Sequence, residues 1–312
     1  MTEFGHRTVL LEETVLAVQP KPHGRYVDCT LGGAGHSERL LELSSPSGKL
    51  LALDQDEWAI AHAQNRLAAY GERFSAVRVN FREVEHAVRE QHFDPVDGVL
   101  FDLGVSSPQF DEAGRGFSYR FDAPLDMRMD VRQQVTAKDL VNTAAEGDLV
   151  RIFFEYGEEK FSRRVARAIV EHRSKSSIES TGELADIVKE AIPAAARRTG
   201  PHPARKVFQA LRIAVNDELG ALQEALTGAF AILKPGGRIA VISFHSLEDR
   251  IVKRQFQEWA TGCICPPDFP VCMCHREPEA AVITKKPLLP GSAEIEENSR
   301  ARSAKLRVVE KL

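Results

Sequence analysis

The sequence predicts an α/β fold built on a doubly wound, mostly parallel sheet, with an inserted α-helical domain. Three observations predict it. Short, near-continuous apolar runs alternate with helical patterns through residues 25–103, the alternation stops after Phe110, and it resumes from Phe208. Strands buried on both faces read as unbroken apolar runs, whereas strands with one wet face alternate. A strand–helix–strand rhythm implies parallel pairing through right-handed crossovers, which gather all strand C-termini on one edge.

The strand candidates in the first half are Arg25–Leu31, Lys49–Asp54, Phe74–Asn80 and Val96–Leu103. Between them His36–Leu43, Glu57–Tyr70 and Arg82–Gln91 carry apolar residues at three-to-four spacing, the helical period. From Glu112 to Val207 only helical patterns occur: Ala137–Leu140, Glu146–Tyr156, Lys160–Arg173 and Thr181–Ala191. A long amphipathic helix is predicted over Phe208–Leu233, then a turn at Lys234–Gly237 and a fifth strand over Arg238–Phe244. Ser246–Trp259 reads as a helix with Ser246 as N-cap and Asp249 three residues on. Ala281–Ile283 and Leu306–Val309 would finish the sheet. The predicted organisation is one domain from residues 1–111 and 208–312, interrupted by a helical insertion at 112–207.

Composition narrows the class. At 312 residues the chain can bury a sizeable core, and 43% hydrophobic with 28% charged residues is ordinary for a globular protein. A net charge of −4 means that any polyanion must be met by segregated charge. No run approaches the roughly 18 apolar residues of a membrane span, and the N-terminal run MTEFGHRTVLLEE does not read as a secretory signal. Five cysteines, four of them clustered, do not make a disulfide framework in a chain of this size. The expected compartment is the cytoplasm.

The first strand runs into Asp28-Cys29-Thr30-Leu31-Gly32-Gly33-Ala34-Gly35, a glycine-rich strand-to-helix turn of the kind that lets backbone approach a ligand. The second strand ends in Asp54, nineteen residues after Gly35, where a carboxylate can accept hydrogen bonds from ribose hydroxyls. The dinucleotide pattern G-x-G-x-x-G fails, because Glu38 falls where close helix packing wants a small residue and where a pyrophosphate would be repelled. Asp28 inside the turn instead suits the ammonium and sulfonium charges of S-adenosylmethionine.

The fourth strand runs into Asp102 and Ser106-Ser107-Pro108-Gln109-Phe110, beside the first strand across the switch point. An exocyclic amine on a base is a poor nucleophile because its lone pair is delocalised into the ring. A methyltransferase must therefore orient that nitrogen and accept its protons' hydrogen bonds. A carboxylate, hydroxyls and a proline-stiffened backbone fit that task, and the loop is similar to the Ser-Pro-Pro-Tyr type of amino-methylating DNA enzymes. Asp102 as a mere turn cap is the alternative. His245, at a third strand end, has two readings: contact with substrate and its proton, or the cap of the following helix.

Two basic runs flank the insertion. Lys160, Arg163, Arg164, Arg167, Arg173 and Lys175 face one acid, Glu171, for a net of +5; Arg197, Arg198, Arg205, Lys206 and Arg212 face none. They could hold RNA, with Phe110, Phe117, Tyr119 and Phe121 stacking an extruded base; solvated helix faces and core aromatics are the alternative. Cys263, Cys265, Cys272 and Cys274 could surround a structural zinc ion, although C-x-C is a tighter chelate than C-x-x-C; a disulfide is disfavoured in the cytoplasm. No open coordination position suggests a catalytic metal.

Seven segments together carry a resemblance: His6–Glu13, Thr30–Ser37, Leu103–Gln109, Gly116–Ser118, Pro124–Asp130, Tyr156–Glu159 and Ile242–Arg250. From Gly5 to about Arg307 the chain resembles the bacterial 16S rRNA cytosine-N4 methyltransferase family. The resemblance implies a Rossmann-like class I methyltransferase fold with a helical, RNA-recognising insertion. It implies S-adenosylmethionine as donor and a cytidine in the decoding region of 16S rRNA, or of the small subunit that contains it, as acceptor. It also implies cofactor contacts at Ala34, Gly35, His36, Asp54, Phe81, Asp102 and Gln109. Ala34 stands where many members have glycine, so its contact would be through backbone. The alternatives are a DNA base methyltransferase of the same fold, an RNA-binding assembly factor with a vestigial pocket, and a dehydrogenase.

Overall fold

The computed structural model describes residues 8–105, 112–198, 202–266 and 271–312. Among them seven strands form one sheet: β1 (Arg25–Asp28), β2 (Lys49–Asp54), β3 (Phe74–Arg78), β4 (Val96–Asp102), β5 (Leu233–Ser243), β6 (Ala280–Val282) and β7 (Lys305–Lys311). Their order is β3-β2-β1-β4-β5-β7-β6. The first five pair in parallel; β7 is antiparallel to both β5 and β6. The chain steps outward from β1 to β3, then returns to β4 on the other side, so the switch point lies between β1 and β4.

The unbroken apolar runs are explained by two cores, one on each face. Val27, Leu51, Leu53, Val99 and Phe101 point into one core, and Tyr26, Leu50, Ala52 and Leu100 into the other. Helices α1 (Leu11–Ala17) and α2 (Gly35–Leu43) supply Val15, Leu40 and Leu41 to the second core. Helices α3 (Glu57–Arg66) and α4 (Val84–Glu90) follow β2 and β3; α4 adds Val84 and Val88 to the first core. The helix expected over Glu57–Tyr70 ends at Arg66, because the chain tightens into a 3-10 segment in which Gly71 takes φ 53°.

The chain divides into two compact units, Met1–Gly104 with Leu219–Leu312, and Val105–Glu218. The second unit packs helices α5 (Ala137–Thr143), α6 (Glu146–Glu155), α7 (Ser162–Arg173), α8 (Thr181–Ala191), α9 (Ala194–Arg197) and α10 (Arg205–Asn216). Its core includes Leu149, Phe153, Val165, Ile169, Leu184, Phe208 and Leu211. Both boundaries lie outside the 112–207 read from sequence.

The second boundary moves because the predicted Phe208–Leu233 helix is broken. Asp217 adopts φ 47°, ψ 44°, a left-handed conformation that aspartate tolerates better than most residues, and α11 (Glu218–Ile232) starts afresh. Just before it, the Asn216 amide donates to Met127 O and Arg212 O, both at 2.8 Å, and accepts from Met129 N. This ties the end of α10 to the Pro124–Asp130 loop, where Met127 has φ 63° and Arg128 is clamped by Asp126. Gly116 cannot be replaced there, since a Cβ would stand 2.3 Å from Pro124 O and its φ is 72°.

Two further differences are local. Lys234–Gly237, expected as a turn, is carried within β5, where the register against β4 shifts between Val96 and Gly98. The helix α12 (Ser246–Ala260) is capped by His245 and Glu248 in a capping box, one residue earlier than the Ser246–Asp249 pair read from sequence. Asp249 instead binds Arg307 and Lys305 on β7. Among the described residues no helix is long and apolar enough to cross a membrane.

Candidate active site

The strand ends set the site. Asp28, the last residue of β1, is level with Ala52 of β2 and Leu100 of β4. Asp54 and Asp102 therefore end strands that run two residues farther on either side of it. All three carboxylates stand on one sheet edge.

Asp28 does not present itself to a ligand. It is 2% exposed, and its oxygens accept from Ser37 Oγ at 2.7 Å and Thr30 N at 3.0 Å. Burial raises its pKa, which these hydrogen bonds partly offset. It clamps the glycine turn to the start of α2 and places a buried acid between its two neighbours. The expectation that Asp28 meets the cofactor's cations is corrected accordingly.

The turn itself is tight. Gly32 has φ 47° and Ala34 φ 63°, both left-handed, and Ala34 N donates to Leu31 O at 2.7 Å. At Gly35 a Cβ would stand 1.9 Å from Thr8 Oγ1, so a side chain there would displace the N-terminal segment. Backbone is thus all that this stretch offers to a ligand.

Asp54 holds the turn from the far side. Its Oδ2 accepts from Gly32 N and its Oδ1 from Asp56 N, both at 2.9 Å, leaving lone pairs on each oxygen. Burial, opposed by those bonds, pushes its pKa up to about 6. Beyond it Asn80 Nδ2 donates to Gln55 Oε1, and Asn80 caps the short turn that starts at Phe81. The Phe81 ring packs edge-on against Phe101, with centroids 6.1 Å apart.

Asp102 is the least satisfied acid. Its backbone N–H donates to Thr30 Oγ1 at 2.6 Å, which joins β4 to the turn. Its Oδ1 is buried with no hydrogen-bond partner among the described residues, although the side chain retains 26% exposure. Burial first, then the charges of Asp28 and Glu248, push its pKa up to about 8. His36 Nδ1 approaches Oδ2, while His36 Nε2 lies 3.1 Å from Val9 O.

His245 caps the following helix, as one of its two readings has it. Its Nδ1 accepts from Glu248 N at 3.4 Å, and its Nε2 faces Glu248 Oε1 at 3.0 Å. Glu248, 2% exposed, also accepts from Phe244 N. The His245 Nδ1 serves as the cap.

Sequence reasoning missed Thr30, Ser37 and Glu248. The signal for the first two was their place within and just after the glycine turn, where hydroxyls satisfy buried acids. Gln109, with Ser106, Ser107, Pro108 and Phe110, lies outside the described residues.

In the second unit, Arg163, Arg164 and Arg167 share the face of α7 opposite the buried Val165, Ala166 and Ile169, with Lys160 just before them. None of these four has an ion-pair partner among the described residues. Other members of the basic runs are committed internally. Arg173 donates to Val141 O and Ala144 O, Lys206 to Glu158 O, and Arg212 to Glu218. The aromatic cluster is corrected too. Phe117 is 6% exposed in the core and Tyr119 already stacks on His202 at 4.6 Å, which leaves Phe121 open.

Strand order settles the class. A doubly wound parallel sheet whose last strand slots antiparallel between β5 and β6 is the arrangement of class I methyltransferases, whose methyl donor is S-adenosylmethionine. The chain belongs to the MraW methylase family, which it matches over residues 3–312. It is 56% identical, over 309 residues, to Ribosomal RNA small subunit methyltransferase H of Brevibacillus brevis, covering 99% of this chain and 98% of that one. It is also similar to the solved rRNA methylase of Streptococcus thermophilus, at 13% identity and a TM-score of 0.42 over 99% of both chains. TrmN of Thermus thermophilus is 14% identical with a TM-score of 0.43, over 97% of this chain and 48% of that one.

Proposed function

We propose that this enzyme methylates the exocyclic N4 amine of a cytidine in the decoding region of 16S rRNA. The observation that carries the reading is the Asp102 carboxylate, partly open at the switch point with one buried oxygen lacking a partner among the described residues. A buried polar atom without a partner is costly and marks a place built for one. The rRNA assignment is supported by the name of the Brevibacillus relative, and the N4-cytidine assignment by the seven sequence segments.

The residues fit the donor. Asp54 retains lone pairs for ribose hydroxyls, Phe81 offers an apolar ring for adenine, and Ala34, Gly35 and His36 offer backbone at a tight turn. Asp102 and Gln109 complete the set. When bound, S-adenosylmethionine supplies an electrophilic methyl group on sulfur. Asp102 then holds a negative charge beside the donor's cations, and Thr30 fixes the backbone that carries it. Asp102 is also the candidate acceptor for a proton of the amine; His245 is a positioning residue, locking the β5–α12 turn.

The second unit is the proposed RNA-recognising part, through Lys160, Arg163, Arg164 and Arg167. A polyanion is held by unneutralised cations presented on one face, and these are such a set. The ribosomal substrate places the reaction in the cytoplasm. The test is to incubate the enzyme with labelled donor and undermethylated small subunits and digest to nucleosides. Label in N4-methylcytidine is expected; label elsewhere, or preference for duplex DNA, overturns the proposal.

A further inference from the structure

We infer that Cys263, Cys265, Cys272 and Cys274 form a closed, structural zinc site that pins the loop between α12 and β6. The four sulfurs all lie within 4.8 Å of one another. Cys263 Sγ is 3.3 Å from Cys272 Sγ and 3.7 Å from Cys274 Sγ, and Cys272 Sγ is 3.6 Å from Cys274 Sγ. A disulfide would bring a pair to about 2.05 Å. With zinc–sulfur bonds of about 2.3 Å, the edge of a tetrahedron is about 3.8 Å. The spacing therefore suits one ion among four thiolates. A multi-iron cluster, with metal–metal bonds inside it, holds its cysteines farther apart.

The backbone is arranged for thiolates. Ile264 N donates to Cys274 Sγ at 3.4 Å and Met273 N to Cys265 Sγ at 3.3 Å, so each C-x-C pair receives an amide from the other. Amides aimed at sulfur offset the negative charge that four thiolates leave around a divalent ion.

Among the described residues nothing else organises the loop. Three of its described apolar side chains face outward: Ile264 is 61%, Val271 68% and Met273 67% exposed. At its base Glu279 N donates to Trp259 O and Arg276 to Glu258 O, which close the excursion but hold nothing above it. A long loop without a core of its own is normally either disordered or stapled. Here the groups that converge are the cysteines. Four protein ligands leave no open position, so the ion is structural and not catalytic. Zinc, without redox chemistry, suits a methyl transfer that needs none.

The test is metal analysis of the full chain, purified under reducing conditions without added metal. About one zinc per chain is expected, released when the thiols are titrated with a mercurial. Zinc below about a tenth of an equivalent, or iron in its place, overturns the assignment. The Cys263→Ser/Cys272→Ser variant should lose at least tenfold of the zinc and become cleavable in the 261–279 loop, while binding S-adenosylmethionine like the parent. Retained zinc in that variant overturns the site. Should the variant not fold, cobalt exchanged into the parent gives an independent answer: strong sulfur-to-cobalt absorption supports four thiolates, and its absence overturns them. Donor binding is read separately, so failure here leaves the proposed reaction standing.

Discussion

His36 Nδ1 lies 3.7 Å from Oδ2 of Asp102. The other ring nitrogen lies 3.1 Å from the carbonyl of Val9, which can only accept, so a neutral ring donates there and turns its Nδ1 lone pair towards the acid. Burial favours a protonated Asp102 in the free enzyme and is the main cause of its pKa of about 8.

Stability should respond to that proton. A carboxyl whose pKa is raised on folding contributes most below its unfolded value of 3.8, and the contribution is lost as pH rises through about 8. Relative to Asp102→Asn, the unliganded parent should lose on the order of a few kcal/mol between pH 5 and pH 9. Thermal melts of both across that range check it; a parent that does not lose stability relative to the asparagine variant as pH rises sinks it. Donor binding should release a proton and tighten with pH up to about 8, read by calorimetry in two buffers.

Asp54→Asn should weaken donor binding by roughly 10- to 100-fold, the worth of charged hydrogen bonds to ribose. KM for the RNA should stay within about twofold, because the residue is assigned to the donor. Equal losses for donor and RNA would contradict the assignment of Asp54 to the cofactor.

Ala34 sits at φ 63° with 1% exposure. A left-handed residue with a Cβ costs roughly 1–2 kcal/mol, partly balanced by the entropy that glycine loses on folding. Ala34→Gly should therefore be neutral to about 1 kcal/mol stabilising, and Ala34→Val should destabilise by more than about 2 kcal/mol. Denaturant midpoints decide; a destabilised glycine variant would show that the turn is not strained.

Two kinds of arginine on one helix should behave differently. Reversing Arg163, Arg164 and Arg167 to glutamate should cost RNA affinity about 100-fold or more and flatten its salt dependence, at unchanged melting temperature. Arg173→Ala, which removes the donors to Val141 O and Ala144 O, should lower stability by roughly 1–3 kcal/mol and leave the salt slope alone. Filter binding across a salt series separates them.

Much of this architecture could be read from residue patterns. The apolar runs marked β1 to β4 closely because each feeds two cores, and Asp54 and Asp102 were legible because strand ends in a parallel sheet share an edge. What escaped was decided by partners distant in sequence. The break at Asp217 carries no glycine or proline and depends on Asn216 reaching Met127 and Met129. Asp28 was assigned outward because nothing local reveals that Ser37 consumes its oxygen. Phe117 and Tyr119 likewise gave no sign that the second unit's own core would claim them.

The position of β7 bears on how the protein is made. Residues 305–311 slot between β5 and β6, and β5 reaches its other neighbour, β4, only across the whole second unit. While the chain is being synthesised, β5 keeps a bare hydrogen-bonding edge until those residues leave the ribosome. Such an edge invites pairing with other nascent chains. Substitutions in β7 should thus show first as poor yield and aggregation in the cell, before any loss in the specific activity of the molecules that mature.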